Sequence, residues 1–133
     1  MNKEFINQYR IYYEDTDAGG VVYYANYLKF FERARTELLR QQNISQSNLV
    51  KDHNLLFVVA NCNIKYIKGA KLDDLVTIKT KIITIKSITI TMKQEMFLEN
   101  KLLNEMEVKI ACIDAESHRP KKIPTYIINN INV

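Results

Sequence analysis

From Asn26 onward the apolar positions fall at helical spacing. Tyr27, Phe31, Ala34 and Leu38 recur at i, i+4, i+7 and i+11 with Phe30 and Leu39 beside them, while Lys29, Glu32, Arg33, Glu37 and Arg40 take the other side. This pattern predicts an amphipathic helix of roughly sixteen residues, about 24 Å long at 1.5 Å per residue. Asn26 suits its N-cap, and a start as early as Val22 is compatible with the same pattern. Beyond it, SQSNLVKDH reads as a short polar helix, and the period then changes to two. Cys62, Ile64 and Tyr66 alternate with Asn61, Asn63 and Lys65, and Val76 and Ile78 with Thr77 and Lys79. Ile88, Ile90, Met92, Met96 and Leu98 alternate with Thr89, Thr91, Lys93 and Glu95, and Met106, Val108, Ile110 and Cys112 with Glu105, Glu107 and Lys109. The aromatic and β-branched run FINQYRIYY, residues 5 to 13, adds a first strand that a glycine pair ends.

The connectors IKS and ENK are short enough for hairpins, so the later strands are expected to run antiparallel. One long early helix followed by about four long strands, with a fifth at the start, leaves the helix one destination, the apolar face of a curved antiparallel sheet. The expected class is therefore α+β, a long central helix packed on a five-stranded antiparallel sheet. The opposite sheet face carries Thr, Lys and Glu mixed with Phe97, Leu103 and Ile113, an arrangement that suits partial burial by another subunit.

Length and charge narrow this picture without redirecting it. The 133 residues suit one domain, residues 1–133, with no linker, repeat or low-complexity run. Nineteen basic against fifteen acidic side chains give +4, but the lysines are scattered along strands rather than gathered in a block, which argues against nucleic acid as the partner. No apolar run resembles a signal peptide or approaches the ~20 residues of a membrane span, so a soluble, cytoplasmic protein is expected. Cys62 and Cys112 fall on apolar sides of alternating strands and are expected as buried free thiols. His53 and His118 have no ligand-like spacing, and no metal is expected.

The stretch YEDTDAGGVVYY, residues 13 to 24, holds two of the three glycines and leads into the helix. Glycines that turn the chain sharply there place backbone N–H groups near Val22 to Tyr24 at a helix N-terminus, where they carry positive partial charge and can polarise a carbonyl. Asp17 beside them can attack that carbonyl or activate a water. These parts suit acyl transfer or ester hydrolysis. Equally, aspartates before a helix serve as caps or turn formers, and Tyr23, Tyr24 and Tyr27 serve as core or interface aromatics. No G-x-S-x-G, Ser-His or Cys-His arrangement appears, nor a phosphate-binding glycine loop.

The run Y-x-D-T-D-x-G-G-V-V-Y-x-x-N-Y-L-x-F-F-E-R-A-R, continued by TELLR, by LDD at Leu72 to Asp74 and by LLNEMEV, resembles the hotdog-fold acyl-CoA thioesterases of the 4-hydroxybenzoyl-CoA thioesterase group. It is most similar to the YbgC type encoded with the bacterial Tol-Pal system. The resemblance implies a hotdog fold and hydrolysis of acyl-CoA, or of acyl-carrier-protein thioesters, without a cofactor. It further implies that Asp17 is the catalytic carboxylate, nucleophile or general base, and that the backbone N–H of Tyr24 polarises the thioester carbonyl, at a position where the family often has histidine. Asp15 matches the first aspartate of the motif and is read as shaping the turn. Homodimers joined edge to edge, often paired into homotetramers, are implied, with each site built at a subunit interface. Lys86 in the hairpin, and Arg119 and Lys121 in HRPKK, match places where related enzymes meet the CoA phosphates. The competing function is a hotdog domain that binds acyl carriers or division-complex partners without turnover. A hotdog hydratase would need a placed histidine, which neither His53 nor His118 supplies.

Overall fold

A computed structural model of the chain describes residues 3–131. The chain runs through β1 (Glu4–Arg10), a 3-10 turn at Tyr13–Asp15, a second at Tyr24–Asn26, α1 (Tyr27–Gln41), α2 (Gln46–His53), β2 (Leu55–Tyr66), β3 (Leu75–Ile85), β4 (Thr89–Leu98), β5 (Lys101–Asp114) and α3 (Thr125–Ile131). The strands form one five-stranded sheet in the order β1-β3-β4-β5-β2, every neighbouring pair antiparallel. The hairpins at Lys86–Ile88 and Glu99–Asn100 are the two short connectors expected from the pattern.

The apolar stripe of α1 decides the layering. Tyr27, Phe30, Phe31, Ala34, Leu38 and Leu39 are buried, and they share one core with Val76, Ile78 and Ile82 of β3, Ile90, Met92 and Met96 of β4, and Met106, Val108 and Ile110 of β5. Burying each large side chain of that stripe contributes roughly 1.5–3 kcal/mol. Lys29, Glu32, Arg33 and Arg40 remain exposed on the far side.

Several expectations are corrected. The first strand stops at Arg10 rather than Tyr13, because the Asp15 carboxylate accepts the Tyr12 N–H at 2.8 Å and winds Tyr13–Asp15 into a tight turn. Asn26 is not a side-chain cap: its own backbone is helical and its amide bonds elsewhere. Cys112 is buried, but Cys62 is exposed, since β2 is an edge strand with nothing laid beyond it. Leu103 lies in the core, next to a register shift between Met96 and Phe97 that breaks the simple alternation. The outer sheet face is mainly charged, with Lys79 opposite Glu95, Lys93 opposite Glu107 and Lys65 opposite Glu105. The helix α3 was not foreseen, and its Ile127 and Ile131 close one end of the core.

Candidate active site

The segment from Ile11 to Tyr27 is a loop held by backbone bonds and by side-chain bonds to its own backbone. Ile11 continues the β1–β3 ladder, its N–H donating to the Asp74 carbonyl at 2.8 Å. At Asp17 the chain reverses: the Asp17 N–H donates to the Val21 carbonyl at 2.9 Å, and the Gly20 N–H donates to the Asp17 carbonyl at 3.0 Å. Gly20 has a φ of +79°, a conformation that disfavours any residue with a Cβ. Gly19 is needed for a different reason. Its N–H donates to Asp17 Oδ1 at 2.8 Å, and a Cβ added there would sit 3.2 Å from that same oxygen. The turn thus fastens one carboxylate oxygen of the exposed Asp17 and leaves Oδ2 without a donor among the described residues.

The chain then returns alongside. Val22 donates to the Ala70 carbonyl at 2.9 Å and Tyr23 to the Asp15 carbonyl at 3.1 Å, and the Tyr24–Asn26 turn runs directly into α1. The Tyr24 N–H has no acceptor among the described residues, so it is one of the orphan donors of a helix start and carries positive partial charge. Around it four tyrosines pack together: ring centroids are 4.9 Å apart for Tyr23 and Tyr24, 6.3 Å for Tyr24 and Tyr66, and 5.6 Å for Tyr27 and Tyr66. The Tyr66 hydroxyl, coming from the end of β2, donates to the Tyr24 carbonyl at 3.1 Å. The buried Tyr27 hydroxyl accepts the Ala70 N–H at 2.9 Å. Burial pushes the Tyr27 phenol above its usual range; the Ala70 N–H opposes this, and the nearby Asp17 and Asp74 charges add to it. A carboxylate and an unpaired N–H at a helix start, on adjoining segments, are the parts needed to attack and polarise one carbonyl group.

The other sequence-derived residues gather elsewhere. The Ile123 N–H donates to the Ser87 carbonyl and the Asp114 N–H to the Arg119 carbonyl, which brings the hairpin of Lys86 against the loop of Arg119 and Lys121. Lys121 already has partners there, its ammonium lying 3.0 Å from the His53 carbonyl and 3.7 Å from Asp114 Oδ1. This cluster is at the opposite end of the sheet from Asp17. From Asn104, level with Tyr66, to Cys112, whose carbonyl accepts the Lys121 N–H, β5 spans roughly 26 Å at about 3.3 Å per residue. One protomer therefore does not bring the two groups together.

Two concave regions flank β2. One, about 580 Å³, is a trough on the outer sheet face lined by Asn61, Asn63, Lys65, Thr91 and Lys93, among others. The other, about 410 Å³, lies between α1 and β2, where Glu32, Arg35, Thr36 and Gln46 face Phe57, Val58 and Val59. Asp17 lines neither. The second holds an arrangement that sequence reasoning missed: Arg35 Nη1 donates to Oε1 of the fully buried Gln94 at 2.9 Å, and Gln94 Nε2 donates to the Phe31 carbonyl and Thr80 Oγ1. Burial pulls the Arg35 guanidinium below its usual range, with the Glu32 charge opposing. The only signal was a glutamine on the apolar row of β4. Among the described residues no group of three His, Cys, Asp or Glu side chains is placed to hold a metal ion.

The sequence model of the thioesterase-like superfamily matches residues 12–131. The chain belongs to that superfamily. Within it, the chain is 47% identical over 115 residues to the acyl-CoA thioesterase YbgC of Haemophilus influenzae, covering 86% of this chain and 85% of the relative. It is 43% identical over 120 residues to the acyl-CoA thioester hydrolase YbgC of Escherichia coli O6:H1, covering 90% and 89%. Among solved structures, a probable thioesterase from Bartonella henselae superposes with a TM-score of 0.88 at 36% identity, over 92% of this chain and all of that one. The helix-on-sheet architecture of this thioesterase-like chain is thus the hotdog arrangement expected from its motif.

Proposed function

We propose that this chain hydrolyses acyl-CoA thioesters at Asp17, with the Tyr24 backbone N–H as the oxyanion donor. One observation carries the reading: a carboxylate held on a tight turn, with one oxygen that has no donor among the described residues, adjoins a helix-start N–H that has no acceptor among them. The relatives named acyl-CoA thioesterases support the substrate class.

The thioester carbonyl oxygen accepts the Tyr24 N–H, and the carbonyl carbon is attacked in one of two ways. In one, Asp17 Oδ2 adds to the carbon, the C–S bond breaks, CoA leaves as thiolate and takes a proton from solvent, and water then cleaves the mixed anhydride. In the other, Asp17 takes a proton from a water whose oxygen adds to the carbon, and that proton passes to the departing sulfur. Both develop negative charge on the carbonyl oxygen, where a pre-placed N–H contributes most. Neither route needs an imidazole, and the tyrosine side chain at position 24 is compatible with a donor supplied by the backbone.

The site is completed, in this reading, by a second copy. β2 is a twelve-residue edge strand with Val58, Val59 and Tyr66 exposed, and Ile67 just beyond its end is exposed as well. An edge of that length and apolarity favours pairing with another strand. Antiparallel pairing of two β2 strands about a two-fold axis reverses one sheet against the other, so the end of one protomer carrying Lys86 and Arg119 comes alongside Asp17 of its partner. That assembly supplies cations for the CoA phosphates, with Lys121 in a bracing role; paired dimers would give the tetramer. Acyl-carrier-protein thioesters would use the same chemistry. Among the described residues no helix is long and apolar enough to cross a membrane.

The deciding experiment follows thiol release from a panel of acyl-CoA thioesters from acetyl to palmitoyl, with benzoyl included. Asp17→Asn keeps the size of the side chain and its turn-forming ability but removes the charge, so kcat is expected to fall at least ~10²-fold with folding unchanged. Asp15→Asn should cost far less, because among the described residues the Asp15 carboxylate bonds only the Tyr12 N–H. Wild-type turnover by Asp17→Asn would overturn the proposal. Prolonged dialysis against EDTA is expected to leave turnover intact.

A further inference from the structure

Asn26 lies at the position where a helix cap was expected, yet its side chain reaches back across the loop. Its Nδ2 donates to the Asp15 carbonyl at 3.0 Å, and that oxygen also accepts the Tyr23 N–H at 3.1 Å. These two donors stand on either side of Tyr24. The Asn26 backbone N–H also donates to the Tyr23 carbonyl at 2.8 Å. That carbonyl and the Tyr24 N–H belong to the same peptide group, so the bond polarises the group and strengthens its N–H as a donor.

On the other side of the contact, Asp15 is anchored through its carboxylate to the Tyr12 N–H, and the next residue, Thr16, bonds the Tyr13 carbonyl through both its N–H and its hydroxyl. Asp17 follows directly and is locked to Val21, Gly19 and Gly20. The segment bearing the carboxylate and the segment bearing the oxyanion donor are therefore each held by bonds of their own, and they are joined by the Asp17 N–H to the Val21 carbonyl and, nearer Tyr24, at the Asp15 carbonyl. Asn26 supplies one of its two bonds and is half-buried at the seam.

We propose that Asn26 is a positioning residue, a staple that sets the gap between the Asp17 carboxylate and the Tyr24 N–H. The inference rests on the catalytic reading of those two groups. A misplacement of about 1 Å can cost 10²-fold in rate, so a seam crossed by three bonds, of which Asn26 gives the only side-chain one among the described residues, is sensitive to its loss. Tyr23 retains its bond when the Asn26 amide is removed, and the loop stays folded while the gap loosens. The loss should appear in the chemical step and not in substrate capture, because the bonds of Asn26 among the described residues go to this chain's own backbone.

The test measures kcat and KM on the fastest acyl-CoA of the panel for Asn26→Asp, which keeps the shape but puts an acceptor against the Asp15 carbonyl, and for Asn26→Ala. Asn26→Asp is expected to lower kcat at least ~10-fold and Asn26→Ala ~3-fold or more, both with KM within about twofold of wild type. Should the aspartate variant not fold, the alanine variant decides alone, since it keeps the Tyr23 bond and adds no repulsion. A kcat within twofold of wild type, or a raised KM with kcat unchanged, overturns the staple while Asp17→Asn remains inactive. Full turnover by Asp17→Asn removes the catalytic reading itself, whatever the Asn26 variants do.

Discussion

Gly19 and Gly20 stand side by side for different reasons, and substitutions separate them. Gly20 has open space around its Cβ position but a φ of +79°, so alanine there costs backbone strain, about 1–2 kcal/mol, and should reduce stability more than the chemistry. Gly19 lacks a positive φ but faces Asp17 Oδ1 at 3.2 Å, so Gly19→Ala must shift the carboxylate and should lower kcat with a smaller change in stability. Urea unfolding set beside steady-state kinetics checks both, and the expectation fails if the two variants lose stability and rate in the same proportion. The turn was legible in the sequence because paired glycines between a strand and a helix have few uses. Which glycine served the backbone and which served the carboxylate was not, since φ and a Cβ contact exist only in the folded chain. Asn26 makes the same point. Its residue type fits a cap, and only the folded loop offered its amide a better acceptor.

At the level of elements, α1 and the strands were readable because a helix or a strand with one apolar face repeats its pattern locally. The exception is Gln94, which occupies an apolar row of β4 yet is fully buried. It holds Arg35, the Phe31 carbonyl and Thr80 together, joining α1 to β3 and β4 beside the cavity under β2. Gln94→Met keeps the volume but strips the guanidinium of its acceptor. It is expected to cost about 3 kcal/mol in urea unfolding, the upper range for leaving buried polar groups unpaired. The double variant with Arg35→Met should recover part of that loss, because removing both partners leaves no buried charge uncompensated. Additive losses would show that the two side chains act independently. Cys62 shows the limit of local pattern at this scale: alternation assigned its face, but its exposure followed from β2 ending the sheet.

At the scale of the whole molecule, the sheet order separates the parts that the motif placed in one site. Asp17 and Tyr24 lie at one end, Lys86 and Arg119 at the other, and β2 is the longer of the sheet's two edge strands. Val59→Asp puts a charge on the exposed part of that edge. If the proposed β2-paired dimer forms, this variant is expected to give a folded monomer by light scattering, with kcat/KM for acyl-CoA falling at least tenfold. A fully active monomer would contradict the shared site. Neutralising Lys86 and Arg119 together should raise KM for CoA thioesters and spare short thioesters without the nucleotide; equal effects on both would point to a folding defect instead.

Helix and strand patterning, the glycine turn and the aspartate motif were determined by the sequence alone, because each depends on residues within about a dozen positions of one another. The tertiary structure decided what depends on distant residues meeting: the strand order and its two edges, the burial of Gln94 against Arg35, the bond from Asn26 to Asp15 and the separation of Lys86 from Asp17. These contacts are set by how one element packs on another. A one-dimensional period carries the side of an element on which a residue lies, but not what that side meets.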